Sequence, residues 1–408
     1  MQRLEVWLYG TLVGTLEGAT WRDYDFRAAD EGVARFGVLS TVLSEAIPLV
    51  VKARPASRAQ VRRNFFDELL PEGITRVRLA QQASVEVFDT LGLLRRFGRD
   101  TAGALQIFDP TDPWEPPTPE LRPLDAAAVR QLADSNASFP LGNDSVQGRI
   151  SLAGVQPKLA LVKRDGGWWQ PLGGYPSTHI VKPAPERFPT MIFDEEYGCR
   201  IAHHLGLLDY EVTIVEFAGL PTLVAQRYDR SEVAWEITRL HQEDMNQALG
   251  ASGDQKYQQY GGVTTGKRIA TVVSRHGPEA LQRWLRLLIF ACAIGNLDLH
   301  GKNISLLRHP DGSASLAPAY DNVPLLHQPT NGELALAVDK VYRLADLRTT
   351  NLAAEALPWG VDNPIDIIDS TLDQISDFVA QANPLGGAHP QITTLITANI
   401  TRLRRPPS

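Results

Sequence analysis

Apolar and polar residues alternate at the start of the chain, over residues 4–14, on both sides of a glycine turn. Because successive side chains of a strand point to opposite faces, this pattern predicts a β-hairpin. In the stretch 60–70, apolar residues instead recur at helical spacing, at positions 61, 65, 66, 69 and 70, and Pro71 and Gly73 end the pattern. Residues 1–108 therefore predict a small α+β subdomain.

A proline-rich stretch follows, with prolines at positions 110, 113, 116, 117, 119 and 123. Proline disfavours helix and lacks the N–H that a strand ladder needs, so residues 109–123 predict a linker. Beyond the linker, residues 159–163, 179–182 and 223–228 are typical of strands, and residues 194–205 predict a helix that Gly206 ends. From about residue 240 the pattern is mainly helical. We therefore predict a strand-rich lobe over residues 124–230 and a helical lobe over residues 231–408.

Composition limits the classes of function. A chain of 408 residues is too long for one compact core. Its content of 43 % hydrophobic residues is sufficient to form several cores. A formal net charge of −7 argues against a protein that coats nucleic acid by itself, because that task needs a basic surface. The two cysteines, Cys199 and Cys292, lie in helix-like patterns and indicate neither a disulfide framework nor a zinc site. With no signal peptide and no apolar run near the about 20 residues of a membrane span, we expect a soluble cytoplasmic protein without membrane partners.

The segment 296–303, Asn-Leu-Asp-Leu-His-Gly-Lys-Asn, is the most informative part of the sequence, together with Tyr320-Asp321. In protein kinases an Asp accepts the proton of the substrate hydroxyl, an Asn five positions later holds a metal ion, and a later Asp holds metal against the ATP phosphates. Asp298, Asn303 and Asp321 supply this set in order. A helix-like run at 287–294 precedes the segment and a strand-like run at 304–307 follows it, as is usual for a catalytic loop. The pattern predicts phosphoryl transfer.

Such a site also needs a cation for the phosphates and an acid that holds this cation. Lys182 ends a predicted strand before Pro183, and Glu196 lies one turn into the next predicted helix. We predict that Glu196 pairs with Lys182, although Glu195 is adjacent and Arg200 is a suitable helix partner for Glu196. The stretch 149–159 stands where kinases place a phosphate-binding loop, but its single glycine would also suit an ordinary turn.

Several motifs together resemble the HipA family of bacterial toxin kinases, in order and at similar spacing over nearly the whole chain. These motifs are residues 149–159, 178–182, Glu196-Tyr197, 227–230, 242–247 and 298–303. The chain start resembles the N-terminal subdomain of full-length family members. The resemblance implies an α+β protein with a two-lobed protein-kinase-like fold, in which a β-rich N-lobe and a mainly helical C-lobe follow that subdomain.

The resemblance also implies roles for individual residues. Asp298 would be the proton acceptor, Asn303 and Asp321 the Mg²⁺ ligands, and Ser151 the site of autophosphorylation, with Ser145 as a nearby alternative acceptor. His300 would be a nucleotide-binding residue close to the phosphates. From its chemistry alone, a neutral His beside the loop would either orient Asp298 or touch the substrate. The remaining nucleotide-binding candidates are Ala153, Gly154, Val155, Gln156, Pro157 and Lys158 in the covering loop, Lys182 on its strand, Gln226, Arg227 and Tyr228 at the hinge beside adenine, and Gly301, Lys302 and Tyr320 near the phosphates. Two departures are Gln226, where the family often has Glu, and Asn322-Val323 where animal kinases have Phe-Gly after the metal-binding Asp.

From these roles we expect an ATP- and magnesium-dependent serine/threonine protein kinase that acts as a toxin. In the family, a small DNA-binding antitoxin of the HipB type neutralises the toxin, so contact with DNA would be indirect, and targets include aminoacyl-tRNA synthetases. Two alternatives stay open. The 298–303 loop also resembles that of aminoglycoside and choline phosphotransferases, and a pseudokinase scaffold would bind a partner through the first 110 or so residues. The sequence identifies neither the protein substrate nor the antitoxin nor the oligomeric state.

Overall fold

The computed structural model describes residues 2–51, 56–112, 119–137, 139–143, 147–154, 156–233 and 236–406. The first part of the chain forms an N-terminal subdomain, whose sheet has the strand order β3-β2-β1-β4. Its elements are β1 (Gln2–Leu8), β2 (Thr11–Gly18), β3 (Asp25–Ala28), α1 (Asp30–Phe36), α2 (Ala59–Asp67), α3 (Gly73–Ala83), α4 (Thr90–Phe97) and β4 (Gln106–Phe108).

The predicted hairpin and the predicted helix are both present in this subdomain. Strands β1 and β2 pair antiparallel, and α2 buries Phe65 and Phe66 against the sheet, where the ring centroid of Phe66 is 5.3 Å from that of Phe26. Helix α2 ends at Asp67, earlier than its apolar pattern suggested. Residues 68–72 form a turn, hereafter the 68–72 turn, and Gly73 begins the next helix instead of closing the previous one.

The strand-rich lobe is built on a sheet with the order β5-β7-β6-β8-β10-β9, and neighbouring strands in it pair antiparallel. Its elements are β5 (Glu120–Leu124), α5 (Ala126–Asp134), β6 (Leu159–Arg164), β7 (Gly167–Leu172), β8 (His179–Pro183), α6 (Met191–His204), β9 (Val212–Phe217) and β10 (Leu220–Gln226).

Three strands and one helix predicted for this lobe are confirmed as β6, β8, β10 and α6. The proposed linker is wrong at its end, because residues 120–124 form β5 and pair with β7. Strand β5 lies at the edge of the sheet, so Pro123 needs no N–H on its outer side.

The remainder of the chain is mainly helical, as predicted, and its core surrounds α9. Its elements are β11 (Arg230–Val233), β12 (Glu236–Arg239), β13 (His241–Asp244), α7 (Met245–Leu249), α8 (Gly266–Val273), α9 (Pro278–Ile294), β14 (Ser305–Arg308), β15 (Ala314–Leu316), β16 (Glu333–Val338), β17 (Val341–Arg343), α10 (Thr349–Ala356), α11 (Pro364–Gln381) and α12 (Ile392–Leu403).

Helix α9 anchors the loop that carries the candidate chemistry. Trp284 is fully buried and stacks on Trp359, and Asn399 of α12 donates to the carbonyl oxygens of Cys292 and Ala293 at 2.8 Å each. Gly295 ends the helix with φ of 71°, and a Cβ atom there would lie 2.3 Å from Cγ of Leu326. The chain then runs through residues 296–304 into β14, the middle strand of the sheet β13-β14-β15. Within the described residues, no helix is both long enough and apolar enough to cross a bilayer.

Candidate active site

The loop between α9 and β14 is held by two asparagines that bracket Asp298. The Asn296 side chain accepts a hydrogen bond from the Asp298 N–H at 3.1 Å and donates to the carbonyl oxygen of Asp321 at 3.1 Å. The Asn303 amide nitrogen donates to the carbonyl oxygen of Asp298 at 2.9 Å. These bonds fix the backbone of Asp298 and tie it to Asp321, so the residues that the sequence pattern selected do converge.

The Asp298 carboxylate itself is about half exposed, with 54 % of its side chain accessible. Its Oδ1 accepts a hydrogen bond from the hydroxyl of Tyr257 at 3.2 Å, and its Oδ2 is 3.9 Å from Nε2 of His300. Loss of solvent around the carboxyl raises the pKa of Asp298 to about 6, although the Tyr257 hydrogen bond opposes this rise. A carboxylate that is mostly ionised at neutral pH, with a raised pKa, suits a general base.

Lys182 and Asp321 form an ion pair across the cleft, and a second carboxylate belongs to Glu195. The Lys182 ammonium on β8 is 2.7 Å from Oε1 of Glu195 on α6. Burial lowers the pKa of Lys182, but Asp321 and Glu195 together raise it overall. Burial would raise the pKa of Asp321, and Lys182 and Lys158 lower it to about 2. Asp321 has φ of 52°, a conformation that is uncommon outside glycine and frequent at functional sites.

The prediction that Glu196 pairs with Lys182 is wrong. Glu196 instead forms an ion pair with Arg200, at 2.9 Å. Adjacent residues of a helix are about 100° apart around its axis, so only one of two neighbouring carboxylates can face β8. The one that does so is Glu195.

The stretch that precedes β6 lies against both the cleft and the N-terminal subdomain. Lys158 folds back on this stretch, where its ammonium donates to the carbonyl oxygen of Ala153 at 2.9 Å, and burial lowers its pKa to about 8. Gly154 has φ of 110°, and a Cβ atom there would lie 2.6 Å from the Lys158 nitrogen. Ser151 is fully buried, and its hydroxyl donates to the carbonyl oxygen of Leu69 at 2.9 Å. Ser145 and Val155 lie outside the described residues.

Two family models match this chain. Residues 4–108 match the model of the HipA N-terminal domain, and residues 150–381 match the model of the HipA-like C-terminal domain. This chain belongs to the HipA family. It is 33 % identical over 397 residues to a putative kinase, Y4mE, of Sinorhizobium fredii, which covers 94 % of this chain and 93 % of that protein. It is 32 % identical over 333 residues to the serine/threonine-protein kinase toxin HipA of Shewanella oneidensis, over 78 % of this chain and 75 % of that protein.

A solved structure extends the likeness to the whole fold of this HipA-family chain. The toxin–antitoxin complex of Shewanella oneidensis HipA, HipB and operator DNA contains a chain that aligns with a TM-score of 0.78 and 26 % identity. The alignment covers 98 % of this chain and 95 % of that one. The expected kinase-like α+β fold is therefore confirmed, and the chain is a serine/threonine protein kinase of the HipA family.

In the hinge predicted for this HipA-family kinase, the side chains of Arg227 and Tyr228 bond to surrounding residues of the protein. The Arg227 guanidinium is buried and binds Asp229, the Ser177 hydroxyl and the carbonyl oxygen of Thr101. Tyr228 stacks on Tyr320, with ring centroids 5.8 Å apart, and its hydroxyl donates to Gln242. The Gln226 backbone N–H is taken by the carbonyl of Glu211, and its side chain is exposed. Contact of this hinge with adenine stays a prediction, and it would fall mainly to backbone groups.

Lys302 does not share the surroundings of Lys182. Its ammonium is buried 2.6 Å from Oε2 of Glu68 and 3.0 Å from Oε1 of Glu72, both in the 68–72 turn. Gly301 beside it fits tightly, since a Cβ atom would lie 2.5 Å from Oδ1 of Asn246. The side chain of Lys302 therefore faces the N-terminal subdomain, and a contact between its ammonium and the phosphates stays a prediction without support from this geometry.

His300 packs its ring edge-on against Tyr257, with centroids 5.0 Å apart, and burial lowers its pKa to about 3. The imidazole is thus neutral, and its Nδ1 has no hydrogen-bond partner among the described residues. This geometry suits both roles that the sequence left open. The sequence patterns gave no role to Asn296, Tyr257 or the two glutamates of the 68–72 turn. Only Asn296 had a signal, its place two residues before Asp298.

The residues of the cleft fit a nucleotide with Mg²⁺. The described residues contain no group of three or more His, Cys, Asp or Glu side chains that could hold a metal ion by themselves. A site made of Asn303 and Asp321 would need phosphate or water oxygens to complete it, which is how Mg²⁺ is usually bound. The buried amide nitrogen of Gln156 has no partner among the described residues, and this donor in the covering loop suits a phosphate oxygen.

Proposed function

We propose that this HipA-family kinase transfers the γ-phosphate of ATP to a serine or threonine of a cellular protein, with Mg²⁺ held by Asn303 and Asp321. The observation that carries the proposal is the convergence of Asp298, Asn303, Lys182 and Asp321, which the bonds of Asn296 and Asn303 and the Lys182–Asp321 ion pair maintain. When bound, Mg²⁺ neutralises charge on the phosphates and positions them.

In this reaction Asp298 accepts the proton of the substrate hydroxyl as the hydroxyl oxygen attacks phosphorus. Its carboxylate is half exposed, so a protein side chain can reach it. Lys182 binds phosphate oxygens and Glu195 keeps its ammonium in place. Because every one of these positions is occupied by a suitable residue, a scaffold without activity is disfavoured.

We further propose that the kinase is a toxin neutralised by a HipB-like DNA-binding antitoxin, in the reducing cytoplasm that its two buried free thiols suit. The net charge of −7 supports contact with DNA through the antitoxin only. An aminoacyl-tRNA synthetase is the proposed class of substrate, on the strength of the family likeness.

Ser151 is proposed as the site of autophosphorylation, which would switch the enzyme off. In the arrangement described above, its hydroxyl is buried and its backbone N–H donates to the carbonyl oxygen of Asp100 at 2.9 Å, so the loop must leave this position before Ser151 can react. A phosphate adds a charge of about −1.5 to −2. Such a group cannot return to a pocket that offers the carbonyl oxygen of Leu69, so modification would keep the loop out of its docked position.

Labelled ATP separates the proposal from its rival. Wild type and Asp298→Asn are each incubated with γ-³²P-ATP, Mg²⁺ and a bacterial lysate. We expect labelled proteins with wild type and a rate lower by roughly 10²–10⁴-fold with Asp298→Asn, since the proton acceptor is lost with little change of shape. Label in small molecules alone would instead show a phosphotransferase of the aminoglycoside or choline type, and no label with either variant would contradict a kinase.

Growth tests the toxin assignment. We expect expression of wild type alone to slow bacterial growth and co-expression of an antitoxin encoded beside it to relieve the arrest. Cells that carry Asp298→Asn at equal protein level serve as the control and should grow normally. Equal growth of the two cultures would count against a toxin.

A further inference from the structure

We infer that Glu68 and Glu72 of the N-terminal subdomain are positioning residues for phosphoryl transfer, which hold Asp298 from two sides through Lys302 and Lys256. This inference rests on the proposed kinase function and adds to it a part of the active site that lies outside the two kinase lobes. The pair Glu68 and Glu72 is hereafter the acidic clasp.

The first side runs through the catalytic loop itself. Lys302, four positions after Asp298, places its ammonium between the two carboxylates, 2.6 Å from Glu68 and 3.0 Å from Glu72. Only 5 % of the Lys302 side chain is exposed, so this charge has no solvent to replace a lost partner. The next residue, Asn303, donates to the carbonyl oxygen of Asp298. The clasp thereby fixes the position of the segment that fixes the backbone of Asp298.

The second side runs through residues 253–257, which cross beside the loop. Glu72 Oε2 is 2.6 Å from the ammonium of Lys256, and Glu68 Oε1 accepts the N–H of Gly253 at 2.6 Å. Tyr257 follows Lys256 directly and donates its hydroxyl to Oδ1 of Asp298. The clasp thus anchors this segment at two points, and the segment orients the carboxylate itself.

The charges of the clasp are fully engaged. Burial would raise the pKa of Glu72, but Lys302 and Lys256 lower it to about 2, so the carboxylate is ionised at neutral pH. Asp244, at the start of α7, is the further acidic group close to Lys302. Purely structural contacts between subdomains would affect stability without affecting the rate of the bound complex. Positioning contacts must affect the rate, because a displacement of about 1 Å at the reacting groups can cost roughly 10²-fold.

The test compares Glu72→Gln and Glu68→Gln with the control Glu86→Gln, an exposed glutamate of the same subdomain. The rate of ³²P incorporation into lysate proteins is measured against ATP concentration, and the thermal unfolding midpoint of each variant is recorded. We expect kcat for incorporation to fall about 10–100-fold in both clasp variants, with KM for ATP within about twofold of wild type. Glu86→Gln should match wild type. If Glu68→Gln fails to fold, Glu72→Gln decides, because its carboxylate is partly exposed and easier to replace.

A double-mutant cycle with Tyr257→Phe measures whether the effects of the two substitutions on kcat are coupled. A purely structural role of Glu72 would produce no such coupling. If Glu72 acts through Lys256 and Tyr257, Glu72→Gln should lower kcat by a smaller factor in the Tyr257→Phe background than in wild type. The inference would be overturned if the reductions of kcat by Glu72→Gln and by Tyr257→Phe simply multiplied in the double variant. It would also be overturned if the clasp variants incorporated phosphate at the rate of Glu86→Gln. Wild type without incorporation would overturn the proposed kinase function instead, so the two failures are distinguishable.

Discussion

The ammonium of Lys182 is 2.7 Å from the carboxylate of Glu195, whereas the neighbouring carboxylate of Glu196 is 2.9 Å from Arg200. Two adjacent glutamates of one helix therefore have different partners. Glu195 pairs with Lys182 on β8, the lysine proposed to bind phosphate, and Glu196 forms a pair within α6.

This division predicts opposite outcomes for the same substitution at adjacent positions. Glu195→Gln should lower the rate of protein phosphorylation by roughly 10²-fold, because Lys182 loses the partner that fixes its position. Glu196→Gln should stay within about threefold of wild type and serves as the matched control. Initial rates with labelled ATP check both variants. A larger loss of rate from Glu196→Gln than from Glu195→Gln would instead support a pair between Glu196 and Lys182.

Asp321→Asn should weaken magnesium-dependent binding of ATP, because a proposed metal ligand loses its charge and Lys182 loses one of its two carboxylates. Asp298→Asn should bind ATP with Mg²⁺ as tightly as wild type does, although it transfers phosphate much more slowly. Calorimetry of the three proteins with ATP and Mg²⁺ makes the comparison. Equal affinities for wild type and Asp321→Asn would contradict the metal-binding role.

Ser151 should carry phosphate after incubation of wild type with ATP and Mg²⁺. Ser151→Ala should carry none at this position and should keep its kinase activity for longer, since the docked loop can no longer be displaced by modification. Peptide mass spectrometry distinguishes Ser151 from Ser145, and Asp298→Asn is the control for transfer by the enzyme itself. Phosphate on Ser151 of Asp298→Asn, or its absence from active wild type, would refute this site.

Glu45 should contribute pH-dependent stability between the N-terminal subdomain and β14. Burial would raise the pKa of Glu45, but His276 nearby and the ion pair with Arg308 lower it to about 2, below its ordinary value of 4.5. Its contribution is therefore complete above pH 5 and is lost as pH falls from about 4.5 towards 2.

Urea unfolding of wild type and Glu45→Gln measures this contribution. The free energies of unfolding should differ at pH 7 by at most about 3 kcal/mol, and the difference should shrink by pH 3. Glu31→Gln, at an exposed position of α1, is the control. A difference that is the same at both pH values would show that the charge of Glu45 is not what stabilises the contact.

The parts of the site that local patterns determine could be predicted from the sequence. Asp298 and Asn303 stand five positions apart on one loop, and the helix before it and the strand after it follow from their apolar runs. The sequence pattern could not predict whether Glu195 or Glu196 pairs with Lys182, because the answer depends on how α6 is rotated against β8. The burial of Ser151 and the partners of Lys302 depend on contacts with the 68–72 turn, which is distant in sequence. Such contacts leave no periodic signal.

The 68–72 turn has a consequence for how this chain can change. Glu68 and Glu72 face two buried lysines, Lys302 and Lys256, and Leu69 between them accepts the hydroxyl of Ser151. Replacing Glu68 or Glu72 by an apolar residue would leave buried ammonium groups with fewer carboxylate partners, at a cost of several kcal/mol. Charge reversal at any one of these four positions would place like charges together, whereas a relative without this subdomain would expose both lysines to water and be free of the constraint.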